Sequence, residues 1–301
     1  TNHRNSGRTQ TVFTTLKVLV ILLFIIASLT LVTTPQPISF LPKVGDVQLI
    51  TSGAFAVALI YVCFAFSGWN AATYLSSEID NPQKTLPLVL ISGTSIVTLL
   101  YLGLNYVFLY TTPIASMIGE VEVGAIAART IFGEVAGNLF GLALALLLIS
   151  TVSAMTMAGP RVIQVVGEDF PKLSFLGQRN ASGIPARSIF LQSAIAIIFI
   201  VSSTFESVLV FAGFTMALNT FASVLGLFVL RLRQPSLARP YRAFLFPLTP
   251  LIFLTLTGWT LTFTLLMRPV EVLFSFGVIG IGLVFYYLTT SRDNISTNKD
   301  S

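Results

Sequence analysis

An all-α polytopic membrane protein of about eight transmembrane helices is the fold class this sequence predicts, and three observations predict it. Of 301 residues, 54% are hydrophobic and 10% charged, with a mean hydropathy of +0.86; a soluble domain carries roughly a quarter charged residues. Apolar windows of bilayer-spanning length, about 20 residues, fall at 11–33, 52–76, 87–111, 136–158, 188–204, 206–230, 245–267 and 270–289. With the N-terminus cytoplasmic, 13 of the 17 Lys and Arg fall on that side; Lys43, Arg129 and Arg268 fall outside and Lys17 lies within a span. This positive-inside excess accounts for the net charge of +5 with no nucleic-acid partner. Both termini are then cytoplasmic, and the lipid bilayer, expected to be a plasma membrane of the bacterial inner type, is the first partner.

The elements follow in order. A short basic lead with Arg4 and Arg8 precedes the first span and lacks a small-residue cleavage site, so it reads as a cytoplasmic loop and not a signal peptide. The chain opens on Thr1, and the expectation is that it is the C-terminal part of a longer protein. Pro35, Pro37, Pro42 and Gly45 favour an extended external loop before the second span. That span is capped by a polar segment, Ser77 to Pro87, whose prolines stop one helix and start the next. The external, acidic segment Thr112 to Glu134 has room for a short surface helix ahead of Phe132-Gly133.

Past the fourth span, Gly159 to Arg187 reads as a cytoplasmic segment, structured at its start and turn-like at Asn180-Ala181-Ser182-Gly183-Ile184-Pro185. Ser202 to Glu206 makes a tight external hairpin, and an Arg- and Pro-rich linker, Arg231 to Pro250, precedes the last two spans. The expected division is a membrane core over 1–230, two additional helices over 231–289 and a polar cytoplasmic tail over 290–301. The single cysteine, Cys63, excludes an intrachain disulfide, and one histidine, His3, leaves too few ligands for a zinc or catalytic metal site.

The second span is the unusual one. Phe64-Ala65-Phe66-Ser67-Gly68-Trp69-Asn70 puts a small-residue pair and an amide at its centre. Hydrocarbon has no water to satisfy a broken hydrogen-bond ladder, so open backbone at that depth must be buried in protein or line a solvated cavity. Discontinuous helices of this kind hold substrates and coupling ions in many transporters. A Ser-Gly notch against a neighbouring helix is the structural alternative.

Together with the cap Ser77-Glu78-Ile79-Asp80-Asn81-Pro82-Gln83-Lys84-Thr85-Leu86-Pro87, this segment resembles the amino acid–polyamine–organocation (APC) permeases, whose sixth helix carries such a break ahead of an E-x-x-N-P-x-[KR]-x-[IL]-P cap. The resemblance runs on through Ser150 to Ser153, Gly159-Pro160-Arg161, Gly183-Ile184-Pro185, Arg231 to Pro235 and Arg239-Pro240-Tyr241-Arg242, and covers nearly the whole chain. Pro160 and Glu168-Asp169-Phe170-Pro171 depart from the family's pattern and leave the subfamily open. The resemblance implies part of the inverted-repeat (5+5, leucine-transporter-like) fold, here helices five to twelve. Helices one to four, missing from this chain, would be the remaining partner.

The resemblance also implies site residues. Carbonyls of Phe64, Ala65 and Ser67 would accept an amino-acid ammonium, with Phe64 or Phe66 as a lid and Gly68 leaving the backbone open. A carbonyl accepts charge-assisted bonds without adding a counter-charge. Asn70, a mid-membrane amide, would either tie the break together or touch ligand. Lys17 lies about 9 Å into its helix, within snorkelling reach of the cytoplasm, yet an intramembrane ionisable residue is also a candidate proton carrier. In proton-coupled relatives a lysine at this position replaces sodium, and Ser150, Thr151 and Ser153 would face it; back-bonding to their own helix is the alternative. Thr215, Asn219 and Ser223 share one helix face, expected to pack within the bundle with a secondary contact to substrate.

The function implied is secondary active transport of amino acids, by proton-coupled symport or exchange. A non-transporting sensor on the same fold, or an inactive permease fragment, is the alternative. No catalytic set, metal-spaced cluster or nucleotide loop is present in the sequence, so neither an enzyme nor a cofactor is expected.

Overall fold

The computed structural model describes residues 3–74, 76, 79–180, 183–239 and 241–296. Ser77 and Glu78 of the expected cap, Ala181 and Ser182, Pro240 and the tail residues 297–301 lie outside the described residues, as do the side chains of Arg4, Arg8 and Arg292. Eleven α-helices are described: α1 (His3–Leu31), α2 (Asp46–Ile50), α3 (Gly53–Ala65), α4 (Asn70–Tyr74), α5 (Pro82–Thr111), α6 (Val123–Asp169), α7 (Ser174–Gly177), α8 (Ala186–Ser202), α9 (Phe205–Arg233), α10 (Leu248–Met267) and α11 (Pro269–Ser296). Among the described residues there is no strand.

Among the described residues, seven helical segments are long and apolar enough to cross a membrane. The eighth expected span is α8, which has 17 residues. The chain is therefore an α-helical, polytopic integral membrane protein, with many exposed Leu, Ile, Val and Phe side chains on these helices.

Several boundaries differ from the expectation. Helix α5 begins at Pro82, so the proline that starts it is Pro82 and Pro87 lies inside it; Pro suits a first helical turn, where its missing N–H has no partner to lose. Asn81, at φ 49°, turns the chain into that start, and its carbonyl accepts from Lys84 N–H and Thr85 N–H. Helix α6 runs past its apolar window to Asp169 and takes in Pro160, which is fully buried. At its other end α6 is folded at Gly133, where φ is 78° and ψ 172°. A side chain at that φ would be strained. The arm before the fold is the short helix expected ahead of Phe132-Gly133. The two arms lie so close that a Cβ on Gly137 would fall 2.6 Å from the Arg129 backbone, and Arg129 Nε donates to Asn138 Oδ1 at 3.0 Å.

The chain divides into two compact units, Thr1–Leu41 with Leu88–Ala158 and Pro42–Pro87 with Gly159–Ser301. In the first, Phe24 of α1 is the core residue. It stacks on Phe140 at 4.8 Å and meets Phe108 and Phe132 at tilted and edge-on angles, with Val107, Ala127 and Ala128 buried around it. Such offset and edge contacts suit ring quadrupoles.

In the second unit α3 packs between α9 and α10, and α11 packs against α9. Its core is Ile60, Phe214, Ala217, Leu261 and Val272. Small residues set the spacing: a Cβ on Gly53 would meet Met267 Sδ at 2.5 Å, and one on Gly213 would meet Ile60 Cγ2 at 2.7 Å. Close backbone approach over glycine is how membrane helices gain packing energy where lipid supplies no hydrophobic drive. At one end of this unit Arg268 pairs with Glu206 at 2.8 Å and approaches Glu271 at 3.2 Å, while Tyr61 donates to Glu206 at 3.1 Å.

Candidate substrate and coupling sites

Within the second span α3 is regular for 13 residues, after which the chain tightens at Phe66 into a single 3-10 turn, Ser67–Trp69, and resumes as α4. The cause is local. Ser67 Oγ donates to the Phe64 carbonyl at 2.7 Å, and a hydroxyl that competes for a main-chain acceptor loosens the helix at that point. Gly68, the weakest helix former after proline, follows directly. The break is narrower than the open backbone expected from sequence. Phe66 N–H still reaches the Val62 carbonyl at 3.1 Å, and Asn70 N–H reaches the carbonyls of Gly68 and Ser67. A carbonyl has two lone pairs, so those of Phe64 and Ser67 keep acceptor capacity.

One side of the turn borders a cavity of about 160 Å³, the share of liquid taken by roughly five waters. Phe66, Ser67 and Asn70 line it from the break, Gly213, Met216, Ala217 and Thr220 from α9, and Phe253 and Thr257 from α10. Phe64, Ala65 and Gly68 do not line it and are exposed. Of the two candidate lids, Phe66 is the one at the cavity. The side-chain amide of Asn70 makes no hydrogen bond among the described residues, whereas its carbonyl accepts from Thr73 Oγ1 at 2.7 Å. The break is tied together by Ser67, and the Asn70 amide is left to the cavity.

The α9 face differs from the one the four-residue spacing singled out. Thr215 bonds the Phe211 carbonyl and Ser275 Oγ of α11, and Ser223 bonds the Asn219 carbonyl, so this face packs or back-bonds and does not meet the break. The face that does is Gly213, Met216, Ala217 and Thr220, an i, i+3, i+4, i+7 set. The small-x-x-x-small pair Gly213 and Ala217 was the available signal for a close helix contact.

In the first unit Lys17 Nζ donates to Thr151 Oγ1 at 2.8 Å, joining α1 to α6. Thr151 is the one member of the hydroxyl set that the structure brings to the lysine. Ser150 is buried, and its Oγ has no partner among the described residues. Ser153 is exposed.

A multi-span helical protein with a broken span beside a largely apolar cavity that carries a few polar side chains fits the architecture of a membrane carrier. Residues 2–293 match the family model described as amino acid permease, and the chain belongs to that family. It is similar to b(0,+)-type amino acid transporter 1 of Mus musculus, 26% identical over 93% of this chain and 57% of the relative. It is also similar to Large neutral amino acids transporter small subunit 2 of Homo sapiens, 26% identical over 95% of this chain and 53% of the relative. To Asc-type amino acid transporter 1 of Mus musculus it is 28% identical over 77% of this chain and 42% of the relative. The chain spans about half the length of the curated relatives it matches.

Proposed function

We propose that this chain carries the second-repeat half of an amino-acid carrier, and that the protein moves amino acids across a membrane by alternating access as a proton-coupled symporter or an exchanger. The observation that carries the proposal is the 3-10 turn at Ser67–Trp69, in a permease span, with the Asn70 amide at a cavity and without a hydrogen bond among the described residues. The Phe64 and Ser67 carbonyls supply acceptors for an ammonium group, Gly68 keeps the approach to the backbone open, and Phe66 closes over it. Ala65 is the remaining carbonyl of the set. The rest of the pocket comes from the part of the relatives' length that this chain does not span.

Lys17 is the proposed coupling residue. Its 2.8 Å bond to Thr151 supports a held position between helices over free snorkelling. The charged ammonium holds Thr151 more strongly than a neutral amine would, so a change of protonation alters the strength of the α1–α6 contact. Ser150 and Ser153 are the adjoining hydroxyls.

Uptake into proteoliposomes containing the full-length protein, over a broad amino-acid panel and with an imposed pH gradient, is the direct test. Saturable uptake that responds to the gradient supports the reading. Saturable binding without uptake replaces it with a sensor.

A further inference from the structure

We propose that the linker between α9 and α10 forms a binding site for the phosphate headgroup of an anionic membrane lipid. The linker folds over a cavity of about 760 Å³, lined by Arg231, Arg239 and Arg242 with Phe228, Phe246 and the Ser236 hydroxyl among its other walls. From residue 207 to residue 270 the sequence holds no Asp or Glu, and among the described residues no carboxylate pairs with any of the three arginines. Among the described residues their charge has no carboxylate partner.

The three are arranged differently. Arg239 donates to the carbonyls of Gln234, Pro235 and Leu237 at 2.7 to 3.0 Å, so it shapes the loop while its charge faces the cavity wall. Arg231 lies with its guanidinium carbon 3.7 Å from the centre of the Phe246 ring, which fixes its plane. Its Nε is buried with no acceptor among the described residues. A buried guanidinium donor without a partner is costly, and a phosphate oxygen is the acceptor that its planar fork fits. Arg242 is exposed and makes no hydrogen bond among the described residues.

A diffuse positive-inside excess would need none of this: no cavity, no stacking ring, no buried donor. The apolar surroundings favour a lipid over a free anion. Leu232, which lines the cavity, is 82% exposed, and Phe244, Leu248 and Leu251 in the following linker and the start of α10 are 73%, 55% and 48% exposed, an apolar surface along which acyl chains would run. On the orientation the basic residues favour, this end of the bundle meets the cytoplasmic leaflet, which carries anionic lipid.

The test is lipid binding by the purified full-length protein, followed by native mass spectrometry in titrations with phosphatidylglycerol and with phosphatidylcholine. Each arginine near an anionic headgroup contributes about fivefold, so R231Q/R242Q lowers the preference for phosphatidylglycerol about 25-fold. R233Q, which alters the neighbouring arginine outside the cavity, leaves the preference in place, and matched elution and circular dichroism establish that the variants fold. If the double variant fails to fold, R242Q alone is expected to lower the preference about fivefold. Equal binding of the two lipids, a preference that survives in R231Q/R242Q or R242Q, or an equal loss in R233Q overturns the proposal. Inorganic phosphate that binds through Arg231 and Arg242 and displaces the lipid assigns the site to a soluble anion and also overturns it.

Discussion

Gly213→Ala is a demanding test of the packing that positions the break. The new Cβ would lie 2.7 Å from Ile60 Cγ2 and 3.3 Å from the Ile60 carbonyl oxygen, against an optimum of about 3.5–4.0 Å for carbon pairs. Ile60 is fully buried among Phe214, Ala217, Leu261 and Val272, so its side chain has no room to turn aside. Helices α3 and α9 must part by about 1 Å, and overpacking of this kind costs about 1–3 kcal/mol. On the scale for domains of about 150–250 residues that is a fall in Tm of about 2–12 °C, and toward the lower end for a longer chain. Because Gly213 also lines the cavity at the break, uptake falls with it. Ile60→Ala removes the atom that clashes. The double variant is therefore less destabilised than the sum of the two single variants, by about 1–2 kcal/mol. Thermal unfolding of all four proteins measures the coupling, and effects that simply add to within about 0.5 kcal/mol would refute the reasoning.

Three further outcomes are expected of the full-length protein. Lys17→Met abolishes the response of uptake to a pH gradient while leaving exchange, and Thr151→Val reduces the response, since it removes the acceptor 2.8 Å from Nζ; uptake against a pH series separates the two effects, and unchanged coupling in Lys17→Met would leave the lysine with a snorkelling role alone. Asn70→Ala raises KM about tenfold with little change in Tm, the loss of roughly one hydrogen bond to a charged group; concentration-dependent uptake reads the first and thermal unfolding the second. Arg268→Gln lowers Tm by the equivalent of about 1 kcal/mol, because Glu206 is more than half exposed and its pair is well solvated; the double variant with Glu206→Gln restores part of it.

The fold class was readable because bilayer spans need long apolar runs, and those runs survive in any sequence that crosses lipid. The break was readable for the same reason: Ser67, Gly68 and Asn70 are conspicuous where everything around them is apolar. What the sequence could not display was how the break is filled. Whether Ser67 leaves the Phe64 carbonyl open or bonds it depends on a rotamer, and the structure places the hydroxyl on that carbonyl. The partner face of α9 was missed because hydroxyls at 215, 219 and 223 drew attention, whereas the contact is made by the least conspicuous residues, Gly213 and Ala217. The fold at Gly133 was only half visible: a helix before Phe132-Gly133 could be expected, but its close return along α6 rests on a single φ value.

Helix α8 has a consequence for the membrane itself. Its 17 residues reach about 25 Å, while the hydrocarbon layer is about 30 Å thick. Ile195, Ile198, Ile200 and Val201 are exposed along it. A bilayer crossed by α8 would absorb the shortfall of about 5 Å together with residues at the helix ends, at fractions of a kcal/mol for each ångström. Where α8 crosses the bilayer, lipids with shorter chains would fit beside it at lower cost, and the length of one helix would set a preferred membrane thickness.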